Sequence, residues 1–165
     1  MAITLFADGR IEKNGTNVLG FTPAFSAYTS SSFDIAPDTY VKLLCQTELF
    51  DTDGAYNAST SVFTVPSGKA GAYQINATVA VDDINDQTHL SISLGVNGAT
   101  GDSTGFYRMF DYSPQDNRIC TAGFSCIKSL SVGDQINIWV YHNSTGTQSS
   151  ENYCNSFSMF RIGGV

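Results

Sequence analysis

The side chains in this sequence with the most chemistry in them are two histidines, four cysteines and two clusters of aspartates. His89 and His142 stand far apart, and neither has a nucleophile motif such as G-x-S-x-G beside it. No glycine-rich phosphate loop leads into a helical pattern. Asp51-Thr52-Asp53-Gly54 resembles the start of a calcium loop but lacks the glutamate that closes an EF-hand. Asp82, Asp83 and Asp86 crowd one turn. Mutual repulsion there would be relieved by a divalent cation, so the turn reads either as a calcium site or as a solvated acidic loop. Cys45, Cys120, Cys126 and Cys154 have no C-x-x-C spacing and do not suit zinc. The bland alternative, free thiols buried as small apolar side chains, suits them better. No resident cofactor is expected apart from that calcium, and no catalytic residue stands out.

The segments that must carry these residues are strands. In residues 61–81, Tyr73, Ile75, Ala77, Val79 and Val81 alternate with Gln74, Asn76, Thr78 and Ala80. Such alternation places one set on each face of a sheet. Pro66 ends the preceding strand, because it has no N–H to donate to a ladder. Leu90, Ile92, Leu94 and Val96 alternate in the same way and stop at Asn97-Gly98, a tight-turn pair. In residues 118–130, Cys120, Ala122, Phe124, Cys126 and Leu130 share a face; Cys120 and Cys126, about 20 Å apart along one strand, cannot bridge. After Gly133-Asp134, Ile136, Ile138 and Val140 point one way, while Trp139 and Tyr141 point the other. An uncovered face bearing those two rings would be an aromatic patch of the kind that marks an interface. Residues 40–50 carry apolar groups on both faces and predict a long strand covered on both sides. Residues 106–112 and 153–162 complete the set. About ten strands with frequent turns predict an all-β antiparallel jelly-roll sandwich.

The first 22 residues stand apart from the main domain, residues 23–165. Short strand-like pieces separated by Asp8-Gly9 and Asn14-Gly15 predict a β-ribbon arm, too small to be stable alone. Ile3, Leu5, Phe6 and Ile11 are its candidate anchor residues.

Charge narrows the partners. The chain of 165 residues has a net charge of −7 and no basic stripe, which argues against nucleic-acid binding. No segment approaches the roughly 20 apolar residues of a membrane helix, so no membrane insertion is expected. The N-terminal MAITLFADGRIEKNG lacks a basic region followed by a long apolar run. The expectation is synthesis in a reducing cytosol without a signal peptide.

An ordered set of motifs resembles the globular-head family of the first complement component, which shares the tumour-necrosis-factor-like jelly roll. The motifs are Ala24-Phe25-Ser26-Ala27; Tyr56, Thr60, Phe63 and Pro66 in YNASTSVFTVP; Gly71-Ala72-Tyr73-Gln74-Ile75; Leu130-Ser131-Val132-Gly133-Asp134-Gln135-Ile136; and Phe157-Ser158-Met159-Phe160-Arg161-Ile162. Together they cover residues 24–162. The resemblance implies a jelly roll in a three-fold trimer that binds or builds and does no enzymatic work. Two departures stand out: Met159 takes the place of a family glycine, predicting looser packing of the last strand, and Lys128 falls on an otherwise apolar face.

Residues 1–22 hold no collagen-like G-x-y repeat, so no collagen stalk is expected. That favours the versions of this fold found in bacteriophage virion proteins over secreted animal proteins. The expected function is that of a non-enzymatic homotrimeric capsid decoration protein, a cement or head-fibre protein of the virion. It would grip a major capsid or other virion protein through the arm. Tyr73, Trp139, Tyr141, Phe157 and Met159 are the expected trimer-interface residues. The alternative is a receptor- or glycan-binding fibre-tip module using the loops at residues 51–59, 99–105 and 143–152, with Tyr56, Phe106 and Tyr107 beside them.

Overall fold

The computed structural model describes residues 3–5, 11–13, 16–17, 23–82, 84, 88–100, 107–112 and 119–163. Three short strands, β1 (Ile3–Leu5), β2 (Ile11–Lys13) and β3 (Thr16–Asn17), form an antiparallel ribbon in that order. Then come β4 (Ala24–Tyr28), β5 (Asp34–Ile35), β6 (Val41–Lys42), β7 (Thr47–Asp51), β8 (Tyr56–Asn57), β9 (Val62–Thr64) and β10 (Gly71–Val81). The chain continues through β11 (Thr88–Val96), β12 (Tyr107–Tyr112), β13 (Cys120–Leu130), β14 (Gln135–His142), β15 (Gln148–Ser149) and β16 (Ser156–Gly163). No helix occurs among the described residues, and none is long and apolar enough to cross a membrane.

Two antiparallel sheets face each other. The first has the order β13-β10-β16-β4-β7, and the second β12-β11-β14-β9-β8 with β6 also paired to β14. The long central strand β10 holds β13 on one side and β16 on the other, in register from Ala77↔Phe124 and Ala77↔Phe157. Its inward residues Tyr73, Ile75, Ala77, Val79 and Val81 are all buried, as their alternation predicts. Leu90, Ile92 and Leu94 from β11, with Ile136, Ile138 and Val140 from β14, close the core from the second sheet. Aromatic rings join the layers: Phe25 stacks on Tyr56 at 4.3 Å and on Phe63 at 5.2 Å, and meets Phe157 edge-on at 4.9 Å. Such offset and edge-on pairs add to the area term of burial. The turn predicted at Asn97-Gly98 forms with both residues at positive φ, 52° and 83°, the geometry of a two-residue hairpin that follows the strand twist.

Residues 40–50 depart from the single strand predicted for them. β6 pairs with β14 in the second sheet, and β7 pairs with β4 in the first. Residues 43–46 cross between the sheets, with Leu43 and Cys45 buried on the way. Their backbone groups are satisfied individually: the Leu43 N–H donates to the Ile138 carbonyl (2.9 Å) and the Cys45 N–H to Ser61 Oγ (2.9 Å). Apolar residues at consecutive positions here reflect a chain passing through the core. Leu49 is mostly exposed, because a register shift opposite Ser26 and Ala27 leaves it unpaired.

Met159 does not loosen the last strand. β16 pairs with β10 and β4 on both sides of it, through Met159↔Ile75 and Met159↔Phe25, and its side chain lies in the core. Lys128 falls on the inward parity of β13, opposite Tyr73, and is half-buried at the sheet edge. An edge position lets a lysine stem cover apolar surface while its ammonium reaches water.

Candidate functional site

The groups singled out for chemistry are occupied with structure. His142 is buried at the end of β14. Its Nε2–H donates to the Ile35 carbonyl (2.8 Å), and its Nδ1 accepts from the Ser144 N–H (3.2 Å), so the ring is a neutral tautomer pinning β5 to β14. His89 is half-buried and stacks on Tyr141, with ring centroids 5.8 Å apart.

The Asp51–Gly54 loop spends its carboxylates internally. Asp51 accepts from the N–H groups of Asp53 (3.1 Å) and Tyr56 (2.7 Å). Asp53 accepts from the Thr52 hydroxyl (2.7 Å) and pairs with Lys69 at 3.4 Å. This loop is a side-chain-stabilised turn. Among the described residues no group of three or more His, Cys, Asp or Glu could hold a metal. Of the predicted calcium set, Asp82 is exposed at the end of β10 with its N–H bonded to the Ser149 carbonyl, and Asp83 and Asp86 lie outside the described residues.

All four cysteines are free; Cys45, Cys120 and Cys126 are buried, whereas Cys154 is exposed. Burial pushes the Cys45 thiol up to about 12, against the opposing effect of the Thr29 hydroxyl, and raises Cys120 as well. Raised thiols of this kind are poor nucleophiles.

Three of the five residues predicted for the trimer interface lie inside a single subunit. Tyr73 is 0% exposed, and Phe157 and Met159 are each 1% exposed. They belong to the inward parity of β10 and β16, and the second sheet already covers them. Burial raises the Tyr73 phenol to about 12, and its hydroxyl donates to the Lys69 carbonyl (2.6 Å). Tyr56, predicted beside a sugar-binding loop, is likewise buried: its ring stacks on Phe25 and its hydroxyl donates to the Cys45 carbonyl (2.7 Å). Phe106 lies outside the described residues, and Tyr107 opens β12.

Of the predicted anchors, Ile3, Leu5 and Ile11 fall in the ribbon, in the register Ile3↔Lys13 and Leu5↔Ile11. Phe6 lies outside the described residues.

Two outward faces remain. On the first sheet, Ile127 (58% exposed), Phe160 (40%) and Ile162 (41%) point to solvent, with Phe50 on the same side. Gln74 lies opposite both Ile127 and Phe160, and Ser26 lies opposite Phe50. Sequence inspection missed this patch, although the even positions of residues 157–162 carried the signal: Phe160 and Ile162 are out of phase with Phe157 and Met159. Polar groups fill the middle of the face, where the Gln74 amide donates to Ser125 Oγ (2.6 Å) and Thr78 Oγ1 meets Ser156 Oγ (2.8 Å).

On the second sheet, Trp139 and Tyr141 do point outward from β14. Tyr141 packs between Tyr40 (5.3 Å) and His89, and the Lys42 ammonium lies 5.8 Å from the centre of the Trp139 ring.

No protein-family model and no curated protein matches this chain. Solved structures do. The globular domain of zebrafish complement 1qA protein superposes with a TM-score of 0.61 at 15% identity, covering 87% of this chain and all of that one. Eiger TNF from S. frugiperda superposes with a TM-score of 0.56 at 12% identity, covering 86% of this chain and 93% of that one. With paired antiparallel sheets, an all-β composition and these two neighbours, the chain has the tumour-necrosis-factor-like jelly-roll fold.

Proposed function

We propose that this protein is a non-enzymatic structural component that works as a homotrimer packed through the outward face of its first sheet. The observation that carries this is the exposed set Ile127, Phe160, Ile162 and Phe50 on one sheet face. Burying such side chains stabilises an assembly by roughly 1.5–3 kcal/mol each when burial is complete. The mixed apolar and polar character of the face suits contact between identical subunits. Trp139 and Tyr141 lie on the other sheet and stay outside this contact.

The finer reading is a bacteriophage virion protein, a capsid decoration of the cement or head-fibre type made in the host cytoplasm. The N-terminal ribbon supports it: β1, β2 and β3 pair with one another and with no sandwich strand among the described residues. A three-stranded ribbon of this size needs a further surface for stability, and a capsid or other virion protein would supply it. Light scattering alongside chromatography should give a trimer. Deleting residues 2–19 should leave the trimer intact and abolish its joining to particles; full occupancy by the deletion variant would remove the arm from the proposal.

A second reading, a receptor- or glycan-binding fibre-tip module, is favoured by one feature, a polar cleft beside Trp139.

A further inference from the structure

The cleft lies where β14 changes partner. β9 pairs with Gln135 and Ile136, β6 pairs with Trp139 and Val140, and the chain turns inward between them at residues 43–46. The cavity left there measures about 340 Å³ and is lined by Lys42, Asn57, Thr60, Val62, Thr64 and Gln135. At Asn57 and Thr64 it meets a second cavity of about 540 Å³ that runs toward Asp53 and Pro66. Together they form an open groove on this face.

The groove's chemistry is amide and hydroxyl. Thr64 and Gln135 are exposed on adjacent strands in direct register. Asn57 Oδ1 already accepts from Ser59 and Thr60, which turns its amide donors to other use. One cation lines it, Lys42, which also covers the Trp139 ring. At the far end Asp53 is neutralised by Lys69. Pockets of this type orient a ligand through a few placed polar groups, and an indole adds a flat apolar surface with a polar N–H.

A second feature lies across β14 from the groove, over Gly95 of β11. Three buried polar atoms of this face have no hydrogen-bond partner: Ser93 Oγ, Asn137 Oδ1 and Trp139 Nε1. Asn137 stands between Gln135 and Trp139 on the outward parity of β14 and is more than nine-tenths buried. Gly95, opposite Asn137, makes the arrangement possible, since a side chain there would collide with both the Asn137 amide and the Trp139 indole. A buried donor and acceptor left unpaired are an uncompensated cost, and native proteins concentrate such costs at functional places.

We propose that this groove binds a short neutral oligosaccharide. Sugar hydroxyls pair with Gln135, Thr64 and Asn57, and Lys42 in the groove wall couples a bound sugar to the Trp139 ring that it covers. Charge selects a neutral sugar. The chain carries −7 overall, and the single lining cation does not make an anion site. The proposal rests on the glycan-binding reading above and is independent of the virion and trimer assignments, because the groove is complete within one chain.

Trp139 is the only tryptophan, so emission excited selectively at tryptophan reports on its surroundings and not on the eight tyrosines. The full chain is titrated with maltotetraose, with the tetramer of N-acetylglucosamine and with a heparin tetrasaccharide, and is applied in parallel to a glycan array. A saturable change of Trp139 emission with a neutral sugar is expected, weakened about tenfold (about 1.4 kcal/mol) in Gln135→Ala and in Lys42→Ala. Circular dichroism of both variants should match the parent. Array binding with silent Trp139 emission, or binding unchanged by both substitutions, would keep the module reading and overturn the groove. Preference for the heparin fragment would overturn the neutral ligand. Silence in both assays at millimolar sugar overturns both readings.

Discussion

Ile127 and Phe160 stand on either side of Gln74 in one row across the first sheet, both facing solvent. The next residue inward on each central strand, Ile75 on β10 and Met159 on β16, is paired and fully buried. One step along either strand therefore separates core from candidate interface. The predictions that follow use that boundary.

Ile127→Asp and Phe160→Asp should each convert the proposed trimer to monomer while leaving the fold intact. Surface changes of this kind usually move subunit stability by only about 0.5 kcal/mol, whereas a carboxylate in a closed apolar contact has no partner. Light scattering reads the first effect and circular dichroism the second. Trimers that persist in both variants would place the subunit contact elsewhere.

Phe157→Ala and Met159→Ala should act on the subunit itself. Both side chains are in the core, and Phe157 packs edge-on against Phe25. Losses of about 3–5 and 2–5 kcal/mol are expected from the removed contacts and residual cavities. Urea denaturation measures this, at a protein concentration low enough to hold the oligomeric state fixed. Values below about 0.5 kcal/mol would contradict the interior placement of these residues.

Gly95→Ala should be disruptive even though alanine favours extended backbone no less than glycine. Its Cβ has no room beside the Asn137 amide and the Trp139 indole. The expected cost is about 1–3 kcal/mol, together with an altered Trp139 emission spectrum. An unchanged spectrum in a fully stable variant would mean that these side chains do not fold over Gly95.

Stability should hold through neutral pH and fall in alkali. Burial raises Cys45 from its ordinary 9.0 to about 12 and Tyr73 from 10.0 to about 12, and raises Tyr56 as well. Below pH 9.0 these groups are protonated in both states, and the contribution of the buried neutral thiol is complete. Between 9.0 and about 12 the unfolded chain has released the Cys45 proton and the folded chain has not. In that window the unfolding free energy drops by about 1.4 kcal/mol per pH unit for that one group. Urea midpoints across the alkaline range test this, and Cys45→Ala should flatten the first part of the decline. A midpoint level to strong alkali in the parent chain would count against buried, protonated thiol and phenol groups.

Much of the architecture was legible along the chain because alternation is a local property. The inward sets of β10, β11 and β14, the Asn97-Gly98 turn and the outward direction of Trp139 and Tyr141 all follow from period two and turn chemistry. Alternation states which residues share a face. It does not state what lies over that face, which depends on pairings between distant segments. β4 and β16, near opposite ends of the chain, must come together before Phe25 and Phe157 can meet. Coverage of one face of the first sheet by the second put Tyr73, Phe157 and Met159 inside and left Ile127, Phe160 and Ile162 outside.

The same limit governed residues 40–50 and Tyr56. Apolar groups at consecutive positions suit a doubly covered strand as well as a segment passing between sheets, and only the hydrogen bonds of Leu43 and Cys45 distinguish the two. Tyr56 looked available because its neighbours are polar, yet its ring lies on Phe25. Composition and alternation alone thus determined an all-β sandwich. Tertiary structure decided which faces are spent in the core, where the β6–β9 break opens a groove, and which polar atoms are left without partners. Each of those is set by contacts between residues far apart in sequence, and local pattern carries no record of them.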